Sequence, residues 1–253
     1  MTGDFKIQTV EKVRNLVKAY KEGILGGEVM PEDANPGLEK GCAENYLYFS
    51  LPMALNYQRD SYKLWESALL TYKDADTHSI FSPQDVATMD EDTLREKLLK
   101  HKLALQPNRH AQIWRCLCET LTDDWNGDIR NLFQENDNDV PKIKQYIVSN
   151  KKKYPYLSGP KIMNYWLYVM GNYTNLKLKN TRAISIAPDT HVIQATKRLG
   201  LIQNMDIEDQ KLRETVAALW EEMLLDTEFS PIDIHTPLWL WSRGEFKYDV
   251  EKD

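Results

Sequence analysis

Apolar residues in this chain recur at helical spacing and nowhere alternate over a strand-length run, which restricts the fold to packed helices. Ile7, Val10, Val13, Leu16 and Val17 form the first such stripe, which Gly23, Gly26 and Gly27 end. The segment from Glu28 to Lys40, with Pro31, Asn35, Pro36 and Gly37, reads as a loop or arm. Helices are predicted from about Ala43 to Tyr57 and Ser61 to Tyr72, and from starts at Ser82-Pro83, Asp90 and Gln106-Pro107. The helix after Gln106-Pro107 carries Ile113, Trp114, Leu117 and Leu121, and polar breaks follow at Asp123 to Gly127 and Glu135 to Asp139. Two helices flank Tyr154-Pro155. The one after Pro160 is apolar nearly all round, through Ile162, Met163, Tyr165, Trp166, Leu167, Val169 and Met170, and is expected to cross the core. A helix over about Glu208 to Leu225 and a short aromatic one from His235 to Ser242 complete an all-α class. With 42% apolar residues among 253, the chain can bury one large core or two small lobes.

No segment approaches the roughly 18 uninterrupted apolar residues of a membrane span, and Met1 to Tyr20 is charged throughout. A cytoplasmic protein with no membrane partner is therefore expected. Cys42, Cys116 and Cys118 are too few for a disulfide framework, a zinc site or an iron-sulfur cluster, so no metal and no other cofactor is expected. Cys116 and Cys118 face different sides of a helix and read as buried structural thiols.

The net charge is −6, but it is unevenly spread. Val140 to Pro188 holds no Asp or Glu, while Lys142, Lys144, Lys151, Lys152, Lys153, Lys161, Lys177, Lys179 and Arg182 supply nine cations, leaving −15 on the rest. Interleaved with Tyr146, Tyr154, Tyr156 and Tyr173, such a stretch suits a phosphate backbone. A plain solvated lysine face is the competing reading.

Within that stretch, Leu157-Ser158-Gly159-Pro160-Lys161 opens the most apolar helix. Pro160 is ordinary at a first helical position. Lys161 is not, because a cation in the first turn opposes the helix dipole. Desolvation and the dipole together would favour a neutral amine able to attack carbon. The alternative is a lysine that reaches the surface as a phosphate contact. Asp189 follows Pro188 where the N-cap of the next helix belongs, ahead of Val192, Ala195 and Leu199. It is also the first carboxylate after the acid-free stretch. A cap alone, or a cap that also stabilises a sugar cation, both fit.

Lys161 and Pro188-Asp189-Thr190-His191 resemble the catalytic lysine and aspartate motif of the helix-hairpin-helix DNA glycosylase superfamily. The resemblance runs in order along most of the chain. Ala54-Leu55-Asn56-Tyr57-Gln58-Arg59 is similar to the helix end whose Gln or Asn enters the gap left by an extruded nucleotide. Phe81 to Trp114 is similar to the family's helix, loop and basic helix, and Leu199-Gly200-Leu201 to its exit from the aspartate helix. The nearest pattern is that of the archaeal 8-oxoguanine DNA glycosylases. Lys161-Ile162-Met163-Asn164-Tyr165 and Pro231-Ile232-Asp233-Ile234-His235-Thr236-Pro237-Leu238-Trp239 are similar to their lysine and C-terminal motifs.

The resemblance implies an all-α, two-lobed fold with the active site in the cleft between intimately packed lobes. These span about 43–140 and 141–204, with the N- and C-terminal helices completing the second. It also implies a monomer whose partner is DNA containing a damaged base, nucleoid-associated when bound. Lys161 and Asp189 would be catalytic, Trp239, His235 and Tyr165 would form the base pocket, and Gln58, Arg59, Lys151, Lys152, Lys153 and Gly159 would bind DNA. The implied reaction excises an oxidised purine such as 8-oxoguanine, with β-lyase activity through a lysine Schiff base.

Two departures stand out. The hairpin is shorter than the usual glycine-rich one and Pro160 has no N–H to offer a phosphate. At the base-reading position His235 replaces an aspartate, and imidazole does not accept hydrogen bonds as a carboxylate does. Two other readings therefore accompany the first: an N-glycoside hydrolase acting on a modified nucleoside or RNA base, and a catalytically inactive nucleic-acid-binding protein.

Overall fold

In the computed structural model, which describes residues 3–26, 30–203 and 210–251, the regular elements among the described residues are all helical. The chain runs α1 (Gly3–Lys21), α2 (Ala43–Ser50), α3 (Ser61–Lys73), α4 (Pro83–Thr88), α5 (Glu91–Lys100), α6 (Pro107–Trp125), α7 (Arg130–Glu135), α8 (Val140–Ser149), α9 (Pro160–Tyr173), α10 (Thr190–Arg198), α11 (Gln210–Met223) and α12 (His235–Arg243). Short 3-10 turns occupy Pro31–Asp33, Pro52–Leu55, His78–Phe81, Thr181–Ala183 and Pro231–Ile234. Glu28 and Glu208, at the expected starts of the arm and of the long amphipathic helix, lie outside the described residues, as do Gly27 and Asn204. Among the described residues no helix is long and apolar enough to cross a membrane.

Helix starts follow from local chemistry. Asp60, Ser82, Asp90, Asp139 and Asp189 each accept a hydrogen bond from the backbone N–H three residues on, opening α3, α4, α5, α8 and α10. Removing such a cap costs about 1 kcal/mol. Asp90→Ala is accordingly expected to lower the unfolding free energy by that amount, seen as a lower denaturant midpoint with an unchanged slope. Helix ends are equally local. α2 stops at Ser50 rather than continuing to Tyr57, because Pro52 lacks an N–H and its ring crowds the preceding turn. α6 runs into the expected polar break as far as Trp125. There Asn126 (φ +56°) and Gly127 (φ +76°) turn left-handed, and the Gly127 N–H reaches the Leu121 carbonyl at 2.7 Å.

The described residues divide into two compact units, one from Met1–Glu28 with Thr181–Asp253 and the other from Val29–Asn180. In the first, Val10, Val13, Leu16 and Val17 of α1 join a core with Val192, Ile193 and Ala195 of α10. Val216 and Trp220 of α11 and Leu238 and Trp241 of α12 complete it. The buried Trp220 Nε1 donates to Thr196 Oγ1 at 2.9 Å, so this indole is not orphaned.

The second unit holds α2 to α9 around Tyr48, Phe49, Trp65, Trp114, Phe133 and Trp166, all buried. α9 buries Ile162, Met163, Trp166, Leu167, Val169 and Met170, as its all-round apolar pattern predicts. It lies against α2, where Trp166 Nε1 donates to Ser50 Oγ at 3.0 Å. Trp114 Nε1 reaches the Ile80 carbonyl at 2.9 Å and Trp125 Nε1 reaches Tyr154 Oη at 2.7 Å. Large rings thus fill the core while each indole N–H keeps an acceptor.

Candidate functional site

α8 and α9 are joined by residues 150–159, and the connection is held from inside. Tyr154 is buried, and the N–H groups of Leu157, Ser158 and Gly159 donate to the carbonyls of Pro155, Tyr154 and Tyr156 at 2.7, 2.9 and 2.9 Å. The Gly159 N–H, expected to meet a phosphate, is therefore committed within its own turn. Gly159 is the N-cap of α9, Pro160 its first residue and Lys161 its second. Lys161 is exposed, contrary to the expected desolvation, because the buried side of α9 begins only at Ile162. Its position in the first turn, at the positive end of the helix, is as expected.

Four residues further along α9, Tyr165 is half-buried and its hydroxyl donates to Glu32 Oε1 at 2.8 Å. The same oxygen accepts from Trp65 Nε1 at 3.0 Å, and Glu32 is 1% exposed. The arm that carries it is tied down further by Tyr48 Oη on the Ala34 carbonyl at 2.8 Å and Tyr173 Oη on Asp33 Oδ1 at 3.0 Å. Burial pushes the Glu32 carboxyl up to about 7, against the opposing pull of its hydrogen bonds. A carboxyl raised in this way from 4.5 stabilises the fold fully at low pH and loses that contribution as pH rises to about 7. The difference amounts to about 3 kcal/mol. Glu32→Gln keeps the Oε1 acceptor but cannot ionise. Its melting temperature is expected to hold between about pH 5 and about pH 8 while that of the unchanged protein falls; parallel profiles would mean that Glu32 titrates as it does in water.

In the other unit, Asp189 is half-buried at the start of α10, and its Oδ1 accepts from the Val192 N–H at 2.9 Å. Among the described residues its Oδ2 has no hydrogen bond. α12 packs on α10 and brings two of the three expected pocket residues, His235 and Trp239, to the unit of Asp189, whereas Tyr165 belongs to the other unit. His235 is buried, and its Nε2 lies 3.2 Å from the Ala187 carbonyl, two residues before Asp189. A carbonyl only accepts, so this nitrogen carries a proton. Trp239 is half-buried, with the His191 ring edge-on at 5.7 Å and the Arg243 guanidinium over its ring at 4.9 Å. Ser242 Oγ donates to Gln194 Oε1 at 3.0 Å and lies 3.2 Å from His191 Nδ1, fixing the ring that borders Trp239.

The expected DNA-binding residues separate into outward and inward groups. Gln58 is exposed and left-handed (φ +50°). Arg59 turns inward instead, donating to the carbonyls of Leu103 at 2.7 Å and Lys102 at 3.2 Å, and burial lowers its pKa. Lys151 and Lys152 are exposed, with no carboxylate within 4.0 Å among the described residues. Lys153 is exposed too but pairs with Asp124 at 2.7 Å, and Lys142 pairs with Asp137 at 2.5 Å. The stretch that is acid-free in sequence is thus partly neutralised by carboxylates from just before it.

No family model matches the chain, and no curated protein matches it either. The functional reading therefore rests on the residues themselves. Glu32 is the buried carboxylate that sequence reasoning missed. It sits in a proline-rich arm with no periodicity, and only its burial against Trp65 and Tyr165 distinguishes it from the chain's other carboxylates.

Proposed function

We propose that this protein is a DNA N-glycosylase with AP lyase activity, of the helix-hairpin-helix kind. It excises an oxidised purine such as 8-oxoguanine from DNA and works as a monomer. The observation that carries the reading is Asp189, half-buried with one carboxylate oxygen committed to capping α10 and the other without a hydrogen bond among the described residues. A cap uses one oxygen; the second is available to stabilise positive charge on a sugar as a base departs. Lys161, second residue of α9, is the amine this reading requires, and its exposure fits a phosphate contact as well.

In the proposed reaction the damaged nucleotide rotates out of the stack. The Lys161 amine forms a bond to C1′ as the C1′–N bond breaks and its electron pair leaves with the base. The amine proton is lost in the same phase and the departing base takes up a proton. Asp189 stabilises the developing sugar cation. Ring opening leaves an imine, and loss of a C2′ proton then expels the 3′ phosphate.

Duplexes carrying single lesions, assayed separately for base release, strand cleavage and borohydride trapping, test the proposal. Release of one damaged base with a trapped adduct is expected. A second reading is favoured by the buried His235 in place of a base-reading carboxylate: hydrolysis of a modified nucleoside or RNA base with Asp189 alone catalytic. Release from free nucleosides with none from any lesion duplex would decide for it.

A further inference from the structure

Tyr57, just ahead of Gln58, and Tyr156, in the connection before α9, stack with ring centroids 5.0 Å apart and planes inclined by 21°. The Arg109 guanidinium, near the start of α6, lies over the Tyr156 ring at 5.0 Å from its centroid. Tyr57 is 46% exposed and Arg109 is exposed. Arg109, Lys102, Lys151 and Lys152 are all exposed cations of this unit with no carboxylate within 4.0 Å among the described residues. The other tyrosines of the basic stretch are engaged elsewhere: Tyr154 is buried, Tyr146 meets Trp125 edge-on, Tyr173 packs on Phe49, and Tyr165, bonded to Glu32, stacks with Tyr168.

From this arrangement we infer that Tyr57, Tyr156 and Arg109 form a stacking platform for an unpaired nucleobase, a binding site separate from the reacting groups. An exposed aromatic face recognises any base through its π surface, and exposed cations of the same unit with no carboxylate partner among the described residues supply attraction for phosphates. The guanidinium over Tyr156 adds a cation–π contact that holds the ring in place.

The inference rests on the proposed function for the class of ligand, nucleic acid, and makes no use of the chemistry at Lys161 or Asp189. Fluorescence anisotropy with a short labelled oligothymidylate and with an abasic strand of equal length separates base stacking from phosphate attraction. The oligothymidylate is expected to bind on the order of tenfold more tightly than the abasic strand. Tyr57→Ala should erase that ratio and Tyr57→Trp should keep it. Affinity for the abasic strand, which depends on the lysines and on folding, should hold in both. Equal affinity for the two strands in the unchanged protein, or a ratio that survives Tyr57→Ala, would overturn the platform. Borohydride trapping by the unchanged protein reports the proposed chemistry independently, so either result can fail without the other.

Discussion

Asp189→Asn is expected to lower base release on the order of 10²–10³-fold while α10 stays folded, the scale seen when one preorganised electrostatic group is removed from an active site. The substitution is informative because Asn is as good an N-cap as Asp: its Oδ1 still accepts from the Val192 N–H. Only the charge goes, along with a helix-dipole contribution of about 0.3–1 kcal/mol. Circular dichroism and the thermal midpoint should therefore change little. Single-turnover base release at saturating enzyme separates a loss of chemistry from a loss of binding. Release within about twofold of the unchanged protein would reduce Asp189 to a cap.

Lys161→Ala is expected to abolish the borohydride-trapped adduct and strand cleavage together. Lys161 is exposed in the first turn of α9, and Ala is the better helix former there, so the fold should hold. Removing a cation from the positive end of a helix is, if anything, stabilising by a few tenths of a kcal/mol. A full-yield adduct in the variant would move the nucleophile to another amine. Base release that persists without an adduct would leave a hydrolytic glycosylase in which water takes the place of the amine. Base release lost in both variants is what the displacement by Lys161 requires, whereas base release that survives in the lysine variant and not in Asp189→Asn would separate the two roles.

Much of the local architecture was legible in advance, because caps and breakers act within one turn. Ser82, Asp90 and Asp189 start helices through bonds to residues only three positions on, as read from the sequence, whereas the equally local stop at Pro52 went unread and α2 ends at Ser50 instead of Tyr57. The apolar stripe of α1 was equally readable, yet Ile7 at its start is 68% exposed. Periodicity marks a face, and only packing decides how much of that face is covered.

The site divides along the same line. The sequence by itself determined that the protein is helical, that Asp189 caps α10, and that Lys161 stands in the first turn of an apolar helix, since each depends on neighbours within about four residues. Tertiary structure alone decided which polar groups are buried or paired. Glu32 is sealed against Trp65 and Tyr165, Arg59 turns inward to the carbonyls of Lys102 and Leu103, Lys153 is matched by Asp124, and Tyr57 meets Tyr156. Those pairs are tens of residues apart in the chain. Their energies depend on desolvation and on contact geometry, which exist only once the helices have packed.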